Sequence, residues 1–480
     1  MTPESTCFVG GIATRTATSL DVIDKFHGTV AAKVGCADAG MIDTAFAKAG
    51  SARGKCAAMP AFERSGTLRF IATRLEARRA EFEKALVVEV GKPIRDARTE
   101  LDRAIGTFAL GAEEALRIPG EYLPLDHGPR SAGVEAISAR FPVGVNSLIT
   151  PFNFPVNLAA HKIAPAMAAG CPWVLKPSEK TPLTSIMLGE IIAESPWPKD
   201  AWSILPTTVD HAERFVVDDR AALVSFTGSV PVGWGIRAKA GKKRVVLELG
   251  GDATCIVDEG ADLDRVIARL MIGMFSSSGQ SCISVQRIMA HRSILTDLRT
   301  RLVEATRALK YGDPSEETTA VGPLIAQREA ERLHRWIAEA LAGGATLLCG
   351  GERTGSVLQP TLIENVPAKS PLACDEAFGP IAALERFDDF DDALARVNRS
   401  RFGLQTGIFT PSIDRAFRAF RTLEVGAVVI NDVPTFRTDA MPYGGIKDSG
   451  VGREGVRSAI MECTEQRLMI LSSVGRLATS

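Results

Sequence analysis

The stretch Ala222-Leu-Val-Ser-Phe-Thr-Gly-Ser-Val-Pro-Val-Gly-Trp-Gly-Ile-Arg-Ala-Lys-Ala-Gly-Lys-Lys-Arg-Val-Val-Leu-Glu-Leu249 decides the fold. Residues 222–226 form a short apolar run of strand type, residues 231–240 read as a helix with Pro231 in its first turn, and residues 244–249 form a second strand. A strand, a crossover helix and another strand make the repeating unit of a parallel sheet. The alternation extends upstream: strand 144–149, helix 156–169, strand 173–175, and a helix capped by Thr181, with Pro182 in its first turn, running to about Glu194. Strand 202–205 and a helix near 210–217 complete it. Such alternation predicts an α/β fold with helices on both faces of the sheet and ligands at the carboxyl ends of its strands.

Outside this block, Ala61, Leu68, Ile71, Leu75, Phe82 and Leu86 recur at helical spacing among charged residues. That pattern predicts amphipathic helices over 39–107 covering a sheet. An edge strand is expected at 29–34. Downstream, helices near 263–275 and 294–308 and strands near 345–348 and 428–430 predict a second α/β unit.

Between the strand and helix of the central unit runs Gly228-Ser-Val-Pro-Val-Gly233. Its backbone N–H groups and the helix dipole can face a pyrophosphate, though glycines can equally serve the turn angle alone. Glu248 closes the last strand, and Cys282 follows a Gly-Gln turn further on. A thiol can attack an electrophilic carbon, and a nearby carboxylate can activate the thiol or a water. Taken singly, a free Cys is more often a small buried hydrophobe.

The chain has 480 residues and a net charge of -1, with 45% hydrophobic and 24% charged residues. This is the composition of an ordinary globular protein of about three domains. The charge balance argues against a nucleic-acid surface. Nine cysteines without Cys-x-x-Cys pairs or nearby histidines suggest reduced thiols in a cytoplasmic compartment and no metal site. Residues 1–11 lack the pattern of a signal peptide. The longest uncharged run, 141–160, approaches the length of a membrane span, but its prolines and asparagines argue for interior loop and strand.

Six blocks, in order along the chain, carry a resemblance: Pro151-Phe-Asn-Phe-Pro155, Phe226-Thr-Gly-Ser229, Glu248-Leu-Gly-Gly251, Gly279-Gln-Ser-Cys282, Glu376-Ala-Phe-Gly-Pro380 and Met441-Pro-Tyr-Gly-Gly-Ile-Lys-Asp-Ser-Gly-Val-Gly-Arg-Glu-Gly455. Together they resemble the NAD(P)-dependent aldehyde dehydrogenase superfamily. The resemblance implies a Rossmann-type cofactor domain (1–118 with 143–247), a second α/β catalytic domain (248–455) and a small β bridging element (119–142 and 456–480). It further implies an even-numbered homo-oligomer, dimer or tetramer, with 133–141 and 464–473 in a sheet shared across subunits.

By the same resemblance, Cys282 attacks the aldehyde, Asn153 stabilises the oxyanion, a hydride passes to the nicotinamide, and Glu248 deprotonates the water that hydrolyses the Cys282 thioester. Lys162 and Glu454 match proton-relay positions; a surface Lys and a helix-start Glu are the plain alternatives. Cofactor contacts are implied for Thr150, Pro151, Phe152, Lys176, Ser178, Glu179, Phe226, Gly228, Ser229, Leu249, Gly250, Glu376 and Phe378. Glu179 would repel a 2'-phosphate, which favours NAD over NADP.

Leu158, His161, Ser281, Arg437 and Tyr443 are candidate pocket residues. His161 and Arg437 could grip a hydroxyl or a distal carboxylate, or could be a satisfied core His and a surface Arg. Ser281 stands where relatives that take phosphorylated aldehydes often carry Arg, and Ser277 and Ser278 stand where many relatives have Asn ahead of the Gly-Gln. The tail 436–445 resembles lactaldehyde-type dehydrogenases, so a small hydroxylated or acidic aldehyde is expected. Two other readings remain: a CoA-acylating semialdehyde dehydrogenase, against which Glu248 argues, and a non-catalytic binding member.

Overall fold

A computed structural model describes residues 5–472. Residues 1–4 and 473–480, the outer ends of the 1–118 and 456–480 segments and the last residue of 464–473, lie outside the described residues.

The alternating block becomes the centre of an eight-stranded sheet. In spatial order its parallel strands are Trp202–Ile204, Trp173–Lys176, Val145–Ile149, Ala221–Thr227 and Arg244–Glu248. Strand order therefore reverses between Val145–Ile149 and Ala221–Thr227, and the connections leave on opposite faces there. This opens a crevice at the carboxyl ends. Thr6–Val9 and Ile12–Arg15 close one edge antiparallel, and Gly450–Val451 closes the other beside Glu248.

The strands are apolar on both sides because helices cover both faces. Helix Pro155–Ala169 is buried along its whole length. Around it pack helices Ala61–Ala77 and Ile94–Glu114, with Trp173, Trp202 and Phe8 stacked in the same core. Truncating an aromatic there to Ala costs about 3–5 kcal/mol.

A second sheet of seven strands runs Thr346–Cys349, Thr361–Glu364, Ile381–Phe387, Arg287–His291, Thr254–Val257, Gln405–Phe409, Ala427–Ile430. It is parallel except at Thr346–Cys349. A three-stranded antiparallel sheet joins Thr464–Leu471, Glu135–Pro142 and Glu121–Pro124. The described part of segment 456–480 divides: helix Val456–Glu462 packs into the first core through Val456 and Ile460, and Thr464–Leu471 enters the small sheet.

Three local expectations are corrected. Thr181 does not cap the helix Leu183–Glu194, and its hydroxyl has no partner. The cap is the buried Glu89 carboxylate, which accepts from Leu183 N (2.8 Å) and Thr184 N (3.1 Å), so the partner comes from a distant helix and not from the local chain. Residues 210–217 form a 3-10 turn, Val209–His211, and a single helical turn, Arg214–Val217. The expected edge strand is Val30–Cys36, paired only with Thr18–Ile23 and outside the large sheets.

Candidate active site

The crevice at the strand reversal opens into a cleft of about 1310 Å³. One wall comes from the first sheet's carboxyl ends and the other from the loop that carries Cys282. Helix Val230–Lys239 begins at the cleft with no side-chain cap, which leaves its first N–H groups for a ligand. A Cβ on Gly228 would fall 2.4 Å from the Phe226 ring, and one on Gly233 would fall 2.4 Å from Leu249. The glycines thus let this turn close against Phe226 and Leu249, and Ser229 faces the cleft beside them.

Thr150, Pro151, Lys176, Ser178 and Glu179 also line the cleft. Lys176 is 7% exposed and not a solvated surface charge; burial pulls its ammonium below the ordinary value, opposed by Glu179. Phe152 and Phe378 meet edge to face at 5.7 Å on the cleft lining, with Phe378 held at φ 55°. Glu376 accepts from Gly251 N at 3.2 Å, and a Cβ on Gly250 would lie 2.3 Å from its carboxylate. Burial raises Glu376 to about 7. A helix N-terminus, an ammonium with a carboxylate, and an aromatic pair with a carboxyl, all lining one cleft, fit a dinucleotide.

Cys282 is half-buried, and its Sγ lies 3.0 Å from the Tyr443 hydroxyl. Burial pushes the thiol up to about 12, and the Tyr443 contact works against that rise. Tyr443 is itself buried and holds its proton well above the ordinary tyrosine range. Asn153 Nδ2 donates to Gln280 O at 2.9 Å, which ties it to the loop that carries Cys282.

Glu248 lines the same cleft at 3% exposure, and neither carboxylate oxygen has a hydrogen-bond partner. Burial, then repulsion from Glu454, raises it well above the carboxylate range. Glu454 goes the other way. Although burial opposes ionisation, Lys162, His161 and Arg437 hold it down at about 2. The two neighbouring buried carboxyls are thus pushed in opposite directions, Glu248 toward its protonated form and Glu454 toward its charged form.

Lys162 is buried, bonded to Glu454 (2.8 Å) and Ser225 Oγ (2.8 Å), so the surface alternative fails. Arg437 is buried too. Its guanidinium lies 3.7 Å from the centre of the Tyr443 ring, and its Nε has no partner. Leu158, Ser281, Arg437 and Tyr443 line the cleft; His161 does not. Its ring points behind the wall to Asp439 (2.8 Å), which Arg103 also holds (2.7 Å).

The family model for the aldehyde dehydrogenase family matches residues 12–469. The chain belongs to the aldehyde dehydrogenase family. This dehydrogenase is 40% identical over 468 residues to 3-sulfolactaldehyde dehydrogenase of Priestia aryabhattai, covering 97% of each chain. It is 39% identical to a lactaldehyde dehydrogenase of Methanococcus aeolicus, covering 84% of this chain and 86% of that one. Aldehyde dehydrogenase 21 from Physcomitrella patens, solved with the reaction product succinate, superposes with a TM-score of 0.97 at 44% identity, over 99% of this chain and 100% of that one. Glyceraldehyde-3-phosphate dehydrogenase GapN from Methanocaldococcus jannaschii, solved with NADP, gives 0.90 at 36% identity, over 94% and 99%.

The dehydrogenase is therefore an NAD(P)-dependent enzyme that oxidises an aldehyde to a carboxylic acid. Among its described residues no helix is long and apolar enough to cross a membrane, and no cluster could hold a metal ion. Asp96, Arg103 and Asp439 were not legible in the sequence, since each acts through a contact distant in the chain.

Proposed function

We propose that the dehydrogenase works through Cys282, Asn153 and Glu248 on a small aldehyde with an anionic distal group. The observation that carries this reading is one cleft lined by the thiol, the unpartnered carboxyl and a buried arginine. Lys176, Ser178 and Glu179 would hold the adenosine end of the dinucleotide, Ser229 and the helix start its phosphates, and Glu376 and Phe378 its nicotinamide end. When bound, that group takes up the hydride lost by the aldehyde carbon.

Tyr443 supports the thiolate of Cys282 by donating its hydroxyl proton into a hydrogen bond. As sulfur adds to the carbonyl carbon, the second N–H of the Asn153 amide and the backbone N–H of Cys282 receive the negative oxygen. Glu248, once ionised, takes a proton from water, and the hydroxide attacks the Cys282 thioester and releases acid and thiol. Lys162 and Glu454 set the charge that Glu248 feels and offer a path for its proton.

Arg437 meets Glu454 Oε2 only at 3.5 Å, so its charge is not fully matched. A distal carboxylate or sulfonate would complete it, consistent with the relatives' sulfolactaldehyde and succinate. Glu179 favours NAD over NADP. A panel of short aldehydes assayed with NAD and with NADP, with and without CoA, tests the reading; CoA-dependent turnover, or no turnover on any anionic aldehyde, would overturn it. In the same assay Arg437→Leu is expected to raise KM for succinic semialdehyde on the order of thirtyfold, equivalent to about 2 kcal/mol, and to leave KM for propionaldehyde nearly unchanged.

The nine unpaired cysteines fit a reducing, cytoplasmic compartment. We divide the chain into a dinucleotide unit (1–118 and 143–247, joined by helix Val456–Glu462), a catalytic unit (248–455) and bridging segments (119–142 and Thr464–Leu471). The small sheet exposes Tyr122, Ile137, Leu468, Met469 and Ile470, which supports a dimer or tetramer built through it. Light scattering is expected to return an even multiple of the chain mass; a monomer would exclude it.

A further inference from the structure

The turn that delivers the nucleophile is strained. Ser277 (φ 52°, ψ 33°) and Ser278 (φ 56°, ψ 31°) are consecutive left-handed residues that each carry a Cβ, followed by Gly279 at φ 70°. Side-chain crowding disfavours that conformation for all but glycine and, less strictly, asparagine and aspartate. Gly279 has no alternative, because a Cβ there would meet Gly379 O at 2.1 Å. Two serines in this state need outside support.

Two contacts supply it. The Ser278 hydroxyl donates to Gly322 O (3.1 Å) and accepts from Gly322 N (2.9 Å). Asp96, in the first turn of helix Ile94–Glu114, accepts from Ser277 N at 2.6 Å. The same helix region anchors the other half of the site: Lys92 donates to Asn153 O (2.7 Å), and Glu100 accepts from Val156 N (3.0 Å). Because Gln280 O receives the Asn153 amide, a shift of the turn displaces the thiol and the oxyanion donor together.

We infer that Asp96 is a positioning residue for the reaction, holding Ser277 left-handed so that Cys282 and Asn153 keep their mutual geometry. The inference rests on the reading of Cys282 as nucleophile. A carboxylate accepting a backbone N–H is a strong, directional hold, and it acts on the residue whose relaxation would unwind the turn.

The test uses the full-length enzyme and two readouts, the NADH burst with succinic semialdehyde and alkylation of Cys282 by iodoacetamide followed by peptide mass. In Asp96→Ala both rates are expected to fall about a hundredfold while NAD affinity stays within about twofold, since small misplacement of reacting groups costs that much. Adding Ser277→Gly, which accepts the left-handed conformation without support, is expected to recover at least about tenfold of the loss. Asp96→Asn, which retains an acceptor oxygen, is expected to stay within about threefold of the parent.

The inference is overturned by an Asp96→Ala enzyme within about threefold of the parent. It is equally overturned by a double variant no faster than the single one, or by Asp96→Asn as slow as Asp96→Ala. If Asp96→Ala does not fold, the double variant and Asp96→Asn decide by the same criteria. Normal alkylation with no NADH burst in the parent would instead count against the aldehyde reading, because alkylation reports on the thiol whatever the substrate.

Discussion

Cys282→Ala is expected to bind NAD as the parent does and to form no NADH from any aldehyde, a fall of about 10⁴-fold or more, as for other covalent nucleophiles. The sulfur has no substitute. The other eight cysteines lie outside the cleft, and those at positions 7, 56, 171, 255 and 463 are buried thiols whose protons burial holds above the ordinary range. Removing Sγ also frees the Tyr443 hydroxyl, so the site should remain folded and merely inert. Titration of NAD by fluorescence and a search for NADH absorbance check both halves. Appreciable residual turnover would remove the nucleophile assignment, whereas lost NAD binding would mean that the substitution disturbed the fold.

Glu248→Gln is expected to separate the two chemical stages. Its first hydride transfer should survive as a burst of about one NADH per active site, while steady turnover falls about 10²–10⁴-fold with acyl-enzyme accumulating on Cys282. Quenched-flow mass measurement would detect that adduct. An unchanged steady rate would count against Glu248 as the base.

The pH dependence follows from the same carboxyl. Burial and the charge on Glu454 raise its pKa, so at low pH it is protonated and cannot accept a proton from water. Steady turnover should therefore rise with pH through a midpoint above the ordinary carboxylate value of 4.5, and this limb should disappear in Glu248→Gln. A limb of the same midpoint in the Gln variant would assign it elsewhere.

The agreement between sequence reading and structure is uneven in an instructive way. The helix expected near 263–275 is Leu263–Phe275; its buried Val266, Leu270 and Met274 stand at helical spacing, a local pattern. Strands 222–226 and 244–249 emerged within a residue or so, as Ala221–Thr227 and Arg244–Glu248, for the same reason. Where a partner lies far along the chain, local reading failed. Thr181 is the natural cap by sequence, but Glu89 arrives from 94 positions away and takes the role. His161 sits on a helix buried all round, so no periodicity could tell its cleft face from its core face.

The chain's own order of residues determined the parallel α/β scaffold and the glycine turn at its carboxyl edge, because turn chemistry and apolar spacing are written locally, whereas Cys282 and Glu248 stood out only through the family resemblance of their motifs. Only the tertiary structure decided that Tyr443 meets Cys282 across 161 positions, that Lys162 and Glu454 form a buried pair, and that Asp96 supports the strained turn. The physical reason is that burial and charge pairing, which set the proton affinities of Glu248 and Glu454 in opposite directions, arise from groups brought together by packing and are properties of no single segment.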